Sequence, residues 1–500
     1  MANDARGPET FLGLDIGTSS VKALLVDAEQ RVVAEATAGL ELSRPHPLWS
    51  EQSPEDWIEG VEAAVATIRR HAPQGFAGLS GIGLSGQMHG ATFLDAQDRV
   101  LRPAILWNDG RSFAECVELE RRVPDFRRRA GNLAMPGFTA PKVLWVAKHE
   151  PAVFKATSRV LLPKDFVRLR LSGEAVSEMS DASGTLWLDI ANRSWDDELL
   201  AATGLKVANM PSLVEGSDVS ALLSDRIAGA WGLKGRKIPI AGGGGDNAAS
   251  AVGVGAVRAG EGFVSLGTSG VIFSVTERYV SLPERTLHAF CHALPGRWHG
   301  MSVMLSAASA LSWIAAIIGR PDEIGAVVDE AEAFAHSKDA VAAAPIFLPY
   351  LSGERTPHND PEATGVFVGL TAAHGPDALV YSVLEGVAFA FADGVDVLSE
   401  AGARPVAPLL VGGGARSGFW GQLISDVTGL TIELAAGAEA GAALGAARLA
   451  MLAAEAGDET SVCARPPVQR EFVPDPARAA LHAPRLKRFR ALYGAEKAAR

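Results

Sequence analysis

The first seventy residues alternate between apolar segments and short polar turns. Residues 11–27 predict a strand, a Gly-Thr-Ser-Ser turn and a second strand, because β-type apolar residues flank polar turn residues. Residues 31–40 continue this pattern as a third strand. Residues 54–70 carry apolar residues at helical spacing, and Ser53 stands where a helix N-cap is expected. The pattern therefore predicts an antiparallel meander followed by a helix.

A further apolar strand is predicted at residues 78–86, and it ends in a polar segment at residues 87–90. Strand character resumes at residues 91–94, before a turn at residues 95–98. Blocks of helical periodicity, separated by connectors that contain Gly and Pro, then extend to about residue 422. Functional side chains are expected where the strand at 78–86 ends.

The strongest break in the pattern lies at residues 237–245. The apolar segment Ile238-Pro239-Ile240 leads into four consecutive glycines and then Asp246. Such a glycine run indicates a backbone that is closely approached by other parts of the chain. We predict a strand here that opens a second domain, and we place the boundary at residue 237, between units of residues 1–236 and 237–500.

An eight-residue segment at 14–21, Leu-Asp-Ile-Gly-Thr-Ser-Ser-Val, is echoed at 264–271 by Val-Ser-Leu-Gly-Thr-Ser-Gly-Val. One duplicated strand-turn-strand unit in each domain would explain the similarity. Chance similarity between turns rich in Gly, Ser and Thr stays open from these residues alone.

The length and the net charge of the chain limit the classes of function that it can have. A chain of 500 residues is too long for one hydrophobic core, so two domains with a ligand cleft between them are expected. The net charge of −12 argues against a broad nucleic-acid surface, which needs clustered Lys and Arg. The basic stretch at 485–490 has the spacing of an amphipathic helix and predicts a packed terminal helix with a solvated basic face.

The expected location is cytoplasmic, with no membrane partner. Three distant cysteines do not form a disulfide framework, and residues 1–10 lack the apolar core of a signal peptide. The apolar stretches at 303–318 and 435–454 are interrupted by polar residues and by glycine. They predict buried helices rather than membrane spans.

Three glycine-rich turns, at residues 17–20, 267–270 and 412–415, offer backbone N–H groups, and the first two also hydroxyls, to a phosphate. No Gly-Lys pair occurs, which excludes a P-loop. The glycines 81, 83 and 86 have dinucleotide-fingerprint spacing, but no helix is predicted after them. A phosphate ligand in a cleft between two domains is the remaining interpretation.

Two acids stand beside these glycines. Asp15 ends the first strand directly before the first turn, where a carboxylate can orient Mg²⁺ or its water. Asp246 follows the four glycines and is placed to accept the proton of a substrate hydroxyl during phosphoryl transfer.

Side chains that match sugar hydroxyls end two apolar segments of the first domain: Gln87, His89, Trp107, Asn108, Asp109 and Arg111. Core packing of Trp107 and a plain turn at Asp109 stay open as alternatives. A cluster of His288, Cys291, His292 and His299 would need more thiolates to hold zinc, and its sequence predicts a hairpin instead.

Together these segments resemble the FGGY-type carbohydrate kinases, which include glycerol, gluconate, ribulose and xylulose kinases, over nearly the whole chain. The similar segments are residues 15–18, 85–90, 106–111, 245–249, 351–358 and 412–417. The resemblance implies an α/β fold with two actin-like (ribonuclease H-like) ATPase domains around a central cleft. The first domain would bind the sugar and the second would bind ATP.

The resemblance also implies roles for particular residues. Asp246 matches the general base and Asp15 a magnesium contact. The residues implied for the sugar are Gln87, Met88, His89, Trp107, Asp109, Asp246 and Asn247. Those implied for the nucleotide are Thr18, Ser19, Lys22, Gly267, Thr268, Gly413, Gly414 and Ala415.

The activity implied is transfer of phosphate from MgATP to D-xylulose, giving D-xylulose 5-phosphate, and similar enzymes are usually homodimers. Lys22 and Ile16 replace the Arg and Gln of glycerol kinases, which weakens glycerol as the acceptor. Kinases for other ketoses or polyols, such as ribulose, erythritol or glycerol, stay open. So does an actin-like ATPase without a sugar acceptor.

Overall fold

The computed structural model describes residues 7–436 and 441–500. The strands, numbered β1 to β24 in chain order, are Thr10–Ile16, Ser20–Asp27, Val32–Gly39, Glu51–Gln52, Leu79–Gly86, Thr92–Leu94, Ala104–Ile105, Arg159–Leu161, Val176–Glu178, Leu188–Asp189, Ser194–Trp195, Ser212–Val214, Val219–Leu222, Pro239–Ala241, Gly244–Gly245, Gly262–Leu266, Gly270–Thr276, His288–Cys291, Trp298–Met304, Ile346–Leu348, Val366–Val368, Leu409–Val411, Ile432–Ala435 and Val468–Phe472.

The α-helices of the same described residues are numbered α1 to α19. They are Pro54–His71, Pro73–Ala77, Phe113–Arg122, Phe126–Ala130, Thr139–His149, Pro151–Ala156, Pro163–Ser172, Met179–Ser183, Asp197–Ala202, Asp225–Ala230, Asp246–Gly253, Ala308–Ile317, Ile324–Ala335, Lys338–Ala343, Pro376–Glu400, Gly418–Thr428, Gly441–Ala453, Glu459–Val462 and Pro476–Ala499.

Two seven-stranded sheets repeat one topology. The first has the order β13-β14-β5-β1-β2-β3, with β15 also paired to β5, and the second has the order β18-β19-β17-β16-β22-β23-β24. In each sheet an antiparallel hairpin (β1-β2, β16-β17) is followed by a parallel strand (β5, β22). The predicted duplication of a strand-turn-strand unit is therefore confirmed, and so is the α/β fold of two ribonuclease H-like halves.

The two halves meet through a pair of helices. Helix α17 packs against β1 and β5 of the first sheet and against α11. Close approach is possible because the contacting positions lack side chains: a Cβ at Gly83 would overlap the Ala446 carbonyl oxygen, and one at Gly445 would overlap the Ala249 carbonyl oxygen. The site described below lies at this junction.

The predicted boundary at residue 237 falls before two strands of the first sheet. Ile240 in β14 pairs with Ile82 in β5, and Gly244–Gly245 pairs with the end of the same strand. The strand predicted at 238–240 is present, but it closes the first sheet instead of opening the second. By sheet membership the first half extends through Gly245.

Several local predictions can be compared directly with the structure. The meander and the helix after it are present, but the Ser53 side chain makes no capping hydrogen bond. Helix α19 covers the basic stretch, with Arg485 buried against Glu385 rather than solvated. Residues 303–318 hold the end of β19 and helix α12, while 435–454 hold the end of β23 and α17, except for residues 437–440, which lie outside the described residues.

Helix α15, Pro376–Glu400, is the one helix of the described residues that is long and apolar enough to cross a membrane. Of its 18-residue apolar window, 94% is buried inside the protein. Its side chains, among them Leu384, Phe391 and Leu398, belong to the largest core cluster of the second half. We therefore interpret it as the central core helix of that half.

Candidate active site

Two adjacent cavities lie between the halves. One, of about 310 Å³, is lined from the first half by Met88, His89 and Trp107 and from the second by β17, β18 and β19; we call it the acceptor cavity. The other, of about 350 Å³, is lined by Ser250, Phe263, Val411 and Gly413 and is called the donor cavity. Asn247 and Ser265 line both cavities, so the two spaces meet at the start of α11.

The glycine run places Asp246 at this meeting point. Gly243 has φ of +81°, and a Cβ there would overlap the Leu84 carbonyl oxygen, so this position suits glycine on both counts. The Gly245 N–H donates to the Ser180 hydroxyl at 3.1 Å. Helix α11 then begins with Asp246, whose side chain lines the acceptor cavity. The close approach predicted for the glycines is confirmed.

Asp246 has the electrostatic setting of a proton acceptor. Burial raises its pKa to about 6, and the nearby charge of Asp15 adds to this rise. The backbone N–H and the side-chain amide of Asn247 donate to Asp246 Oδ1 at 2.7 and 2.9 Å. These donors fix the carboxylate, and no hydrogen bond from the described residues engages Oδ2.

Asp15 lies near Asp246, because Ser85 of β5 pairs with Asp15 on one side and with Gly244 on the other, and it is suited to a cation. Burial raises the pKa of its carboxyl, and the charge of Lys22 opposes this rise. Its Oδ1 atom is buried without a hydrogen-bond partner among the described residues. No group of three or more His, Cys, Asp or Glu residues in the same described ranges is placed to hold a metal. One carboxylate with phosphate oxygens is the kind of ligand set that Mg²⁺ uses, so these residues fit that ion.

The first glycine turn is tied to the acceptor cavity through Thr18. Its hydroxyl donates to Gln87 Oε1 at 3.0 Å and accepts from Trp107 Nε1 at 2.9 Å. Gln87 is buried and also bonds the Gly17 carbonyl and Gln52, so it supports the turn from within. Trp107 is 41% exposed. Among these predicted sugar residues, Trp107 lines the cavity, while Gln87 serves the turn.

Ser19, in the first turn, and Lys22, on the strand that follows it, line neither cavity. Ser19 is exposed, and its carbonyl accepts from the Leu40 N–H at 2.8 Å. Lys22 lies on β2, opposite Asp15 in the register of β1 and β2, and its amine is 3.7 Å from Glu35. The charge of Lys22 therefore acts on Asp15 from the neighbouring strand.

His89 lies in the wall of the acceptor cavity as a neutral imidazole. It has φ of +70°, and its carbonyl oxygen accepts from Lys142 Nζ at 2.9 Å. Burial lowers the pKa of the ring to about 3. Nδ1 lies 2.8 Å from the Gly184 carbonyl, which can only accept, so Nδ1 carries the proton and Nε2 is an acceptor. Met88 beside it is buried and lines the same cavity.

Asp109 differs from its predicted placement. Its side chain is 0% exposed, and it forms a bidentate ion pair with Arg111 and accepts from the Ser50 N–H at 2.6 Å. Arg111 also pairs with Glu51 at 2.7 Å and stacks on Trp49. Both carboxylate oxygens are engaged below the surface, so Asp109 holds the segment that carries Trp107 rather than facing the cavity.

The two glycine turns of the second half lie side by side, because β16 and β22 run parallel and end together. The carbonyls of Gly267 and Thr268 accept from backbone N–H groups at the start of α12. Gly412 has φ of +92° and, with Gly414, packs against Leu266 and Gly267. Gly413 lines the donor cavity, and Ala415 is buried in the short 3₁₀ helix Gly413–Arg416.

Several lining residues were not among the predicted site residues, although Ser269 belongs to the predicted phosphate turn at 267–270 and His288 to the cluster considered for zinc. Ser250 and Arg416 line the donor cavity, and Ser269, His288, Phe290 and Arg355 line the acceptor cavity. The hairpin predicted around residues 290–301 is confirmed, with Phe290 opposite His299 and Cys291 opposite Trp298. For Arg355 there was one signal in the sequence: residues 351–358 are among the segments that resemble the FGGY-type kinases.

Comparison with known proteins agrees with this architecture. Residues 10–253 match the N-terminal domain and residues 262–454 the C-terminal domain of the FGGY family of carbohydrate kinases. The xylulose kinase of Escherichia coli (strain K12) is 51% identical, covering 97% of this chain and 98% of that protein. The xylulose kinase of Klebsiella pneumoniae is 50% identical over the same shares of the two chains.

A solved structure gives the same result. The crystal structure described as a xyloylose kinase from Brucella ovis has 47% sequence identity and a TM-score of 0.94, and the match covers 98% of this chain and 100% of that one. Both halves of the fold are therefore matched, by sequence and by structure. The chain belongs to the FGGY family of carbohydrate kinases.

Proposed function

We propose that the protein transfers the γ-phosphoryl group of ATP to the terminal hydroxyl of D-xylulose, giving D-xylulose 5-phosphate and ADP. The observation that carries the proposal is the position of Asp246, a fixed carboxylate with a raised pKa where the acceptor and donor cavities meet. The names of relatives about 50% identical over nearly their whole length favour xylulose as the acceptor.

In the proposed reaction Asp246 accepts the proton of the sugar hydroxyl as the hydroxyl oxygen bonds to the γ-phosphorus and the bond to the β-phosphate oxygen breaks. A pKa of about 6 leaves the carboxylate ionised at neutral pH and able to accept a proton. Asn247 keeps Oδ1 occupied, so Oδ2 is the accepting atom. Positioned bases of this kind contribute about 10² to 10⁴-fold to the rate.

The remaining residues are assigned by cavity. Met88, the Nε2 of His89 and Trp107 bind the sugar, while the turns of Thr18, Ser19, Gly267, Thr268 and Gly413 to Ala415 bind the phosphates and nucleotide. Asp15 would hold Mg²⁺, which when bound neutralises charge that develops on the phosphate oxygens. Closure of the two halves would exclude water and limit hydrolysis of ATP without a sugar.

The proposal is tested by ADP release from MgATP in a coupled assay. The acceptors are D-xylulose, D-ribulose, L-ribulose, glycerol and erythritol, with a control that contains no sugar. Preference for D-xylulose is expected. Preference for another acceptor would reassign the substrate, and hydrolysis that ignores every sugar would favour an actin-like ATPase. We further propose a cytoplasmic homodimer, which fractionation and light scattering would test.

A further inference from the structure

A loop of the second half brings an arginine into the acceptor cavity. The loop connects β20 to β21 and contains residues 351–358. This is one of the segments that resemble the FGGY-type kinases, and no role was assigned to it above. Arg355 lines the cavity together with His89, His288 and Phe290. It is partly buried, and among the described residues that line this cavity it is the one side chain that is a cation at neutral pH.

The residues on each side of Arg355 are fixed to strand β19 and to the residue that follows it. Before it, Glu354 Oε1 accepts from the Leu305 N–H at 2.9 Å. After it, the Thr356 N–H donates to the Val303 carbonyl at 3.0 Å, and the Val303 N–H donates to the Thr356 hydroxyl at 3.0 Å. The Arg355 carbonyl accepts from the Thr286 hydroxyl at 2.9 Å. The arginine therefore extends from a rigid base.

In the described part of the chain the guanidinium makes no ion pair and no hydrogen bond, and the carboxyl whose charge acts on it, that of Glu354, has a pKa that burial raises to about 8. Other buried arginines have their N–H groups satisfied by protein oxygens: Arg111 pairs with Asp109 and Glu51, and Arg448 donates to the Val252 and Gly253 carbonyls. A cation that is taken out of bulk water without a partner is unfavourable unless oxygen atoms satisfy it. The cavity is where such oxygens can come from.

Arg355 lines the acceptor cavity but not the donor cavity, whereas Asp246 is followed directly by Asn247, which lines both. The positive charge of Arg355 lowers the pKa of His89 and of His288, so it lies near both rings. The ring of His288 is 5.6 Å from Phe138 and 5.8 Å from Phe290, which makes the wall around the arginine apolar. The reacting end and the arginine end are thus distinct.

We propose that Arg355 determines acceptor specificity by donating hydrogen bonds to the two oxygens at the far end of the acceptor, the C2 carbonyl and the C1 hydroxyl of a 2-ketose. A guanidinium presents several N–H donors in one plane and has no acceptor, so it can hold two neighbouring oxygens at once. The Nε2 atom of His89 supplies the complementary acceptor for a sugar hydroxyl. This inference rests on the proposed function, because it assumes that a ketose binds here.

The test compares acceptors that differ only at that end. D-xylulose is compared with D-arabinitol, which has a hydroxyl in place of the carbonyl, and with 1-deoxy-D-xylulose, which lacks the C1 hydroxyl. For each, kcat/KM is measured, or an inhibition constant where there is no turnover, with wild type, Arg355→Met and Arg355→Lys. Arg285→Met is the control, since Arg285 pairs with Glu400 at the surface.

We expect Arg355→Met to lower kcat/KM for D-xylulose by about 10- to 150-fold, the range for hydrogen bonds to a charged group. The corresponding loss for 1-deoxy-D-xylulose should be several-fold smaller, because that acceptor lacks the C1 oxygen and can accept only one of the two hydrogen bonds; D-arabinitol, whose C1 and C2 hydroxyl oxygens can both accept, should lose more than 1-deoxy-D-xylulose. Arg355→Lys should fall between, since an ammonium lacks the planar fork. The KM for MgATP should stay unchanged, and Arg285→Met should match wild type.

Equal losses for D-xylulose and 1-deoxy-D-xylulose would overturn the inference, as would a D-xylulose value that does not change. If the Arg355 variants do not fold, the inference can still be tested on the wild-type protein by chemical modification. Modification of Arg355 by phenylglyoxal, followed by mass spectrometry, should be blocked by D-xylulose and much less by 1-deoxy-D-xylulose; equal protection would also overturn the inference. If wild type does not phosphorylate D-xylulose, the proposed function itself fails, and the two failures are distinguishable.

Discussion

Replacing Asp246 with asparagine should make the ligand-free protein more stable at neutral pH. The pKa of the Asp246 carboxyl is about 6 in the folded state, compared with an ordinary value of 3.8. Burial and the charge of Asp15 therefore make the ionised carboxylate unfavourable in the folded protein. Asparagine keeps an oxygen for the donors on Asn247 but carries no charge. The difference between the two pKa values corresponds to about 3 kcal/mol in the free energy of unfolding.

The pH dependence of this effect has a definite sign. Because the folded-state pKa is raised, the charged Asp246 lowers stability fully above about pH 6 and not at all below about pH 3.8. The Asp246→Asn variant should therefore exceed wild type by up to about 3 kcal/mol at pH 8, and about half of that gain should remain at pH 5. Removing the charge that faces Asp15 acts in the same direction.

Urea denaturation of both proteins without ligands, at pH 8, 7, 6 and 5, measures this difference. Asp225→Asn provides the control, since its carboxylate is 78% exposed. Its stability relative to wild type should change little over the same range. Equal stabilities of wild type and Asp246→Asn at pH 8, or a gain that grows as the pH falls, would refute the reasoning that Asp246 is held in a strained electrostatic setting.

Three further predictions concern the fall of activity at acidic pH, a buried ion pair and the junction of the two halves. The kcat/KM of wild type should fall tenfold per pH unit below about pH 6, as Asp246 becomes protonated, and a flat profile down to pH 5 would contradict this. Asp109→Asn should lower the free energy of unfolding by roughly 2–3 kcal/mol, since Arg111 keeps its pair with Glu51; a raised sugar KM without loss of stability would instead indicate direct sugar contact. Gly83→Ala should lower stability by more than about 3 kcal/mol, because its Cβ would overlap the Ala446 carbonyl oxygen, and a soluble variant with wild-type melting temperature would contradict that contact.

The sequence predicted those parts of the site that depend on short segments. The glycine run before Asp246 could be interpreted from its own residues, because a backbone with no room for side chains requires glycine. The duplicated turns at 17 and 267 share a pattern that eight residues are enough to show. The two-sheet fold followed from the same repeat. In each case the physical constraint lies within one strand and one turn.

The remaining features depend on contacts between distant segments. The apolar pattern of residues 238–240 is the same whichever sheet the strand joins, so pairing with Ile82 could not be deduced from it. Asp109 follows a turn after β7, where the pattern does not decide whether a carboxylate faces the cleft or Arg111. The position of Arg355 follows from its neighbour Thr356 bonding Val303, more than fifty residues away in sequence.

The central claim is that Asp246 is the base of a D-xylulose kinase. The most direct measurement is kcat for formation of D-xylulose 5-phosphate by wild type and Asp246→Asn at pH 7.5, with ADP and D-xylulose affinities measured by calorimetry. We predict a loss of about 10² to 10⁴-fold in kcat, with both affinities within a few-fold of wild type. A kcat within tenfold of wild type would contradict the assignment.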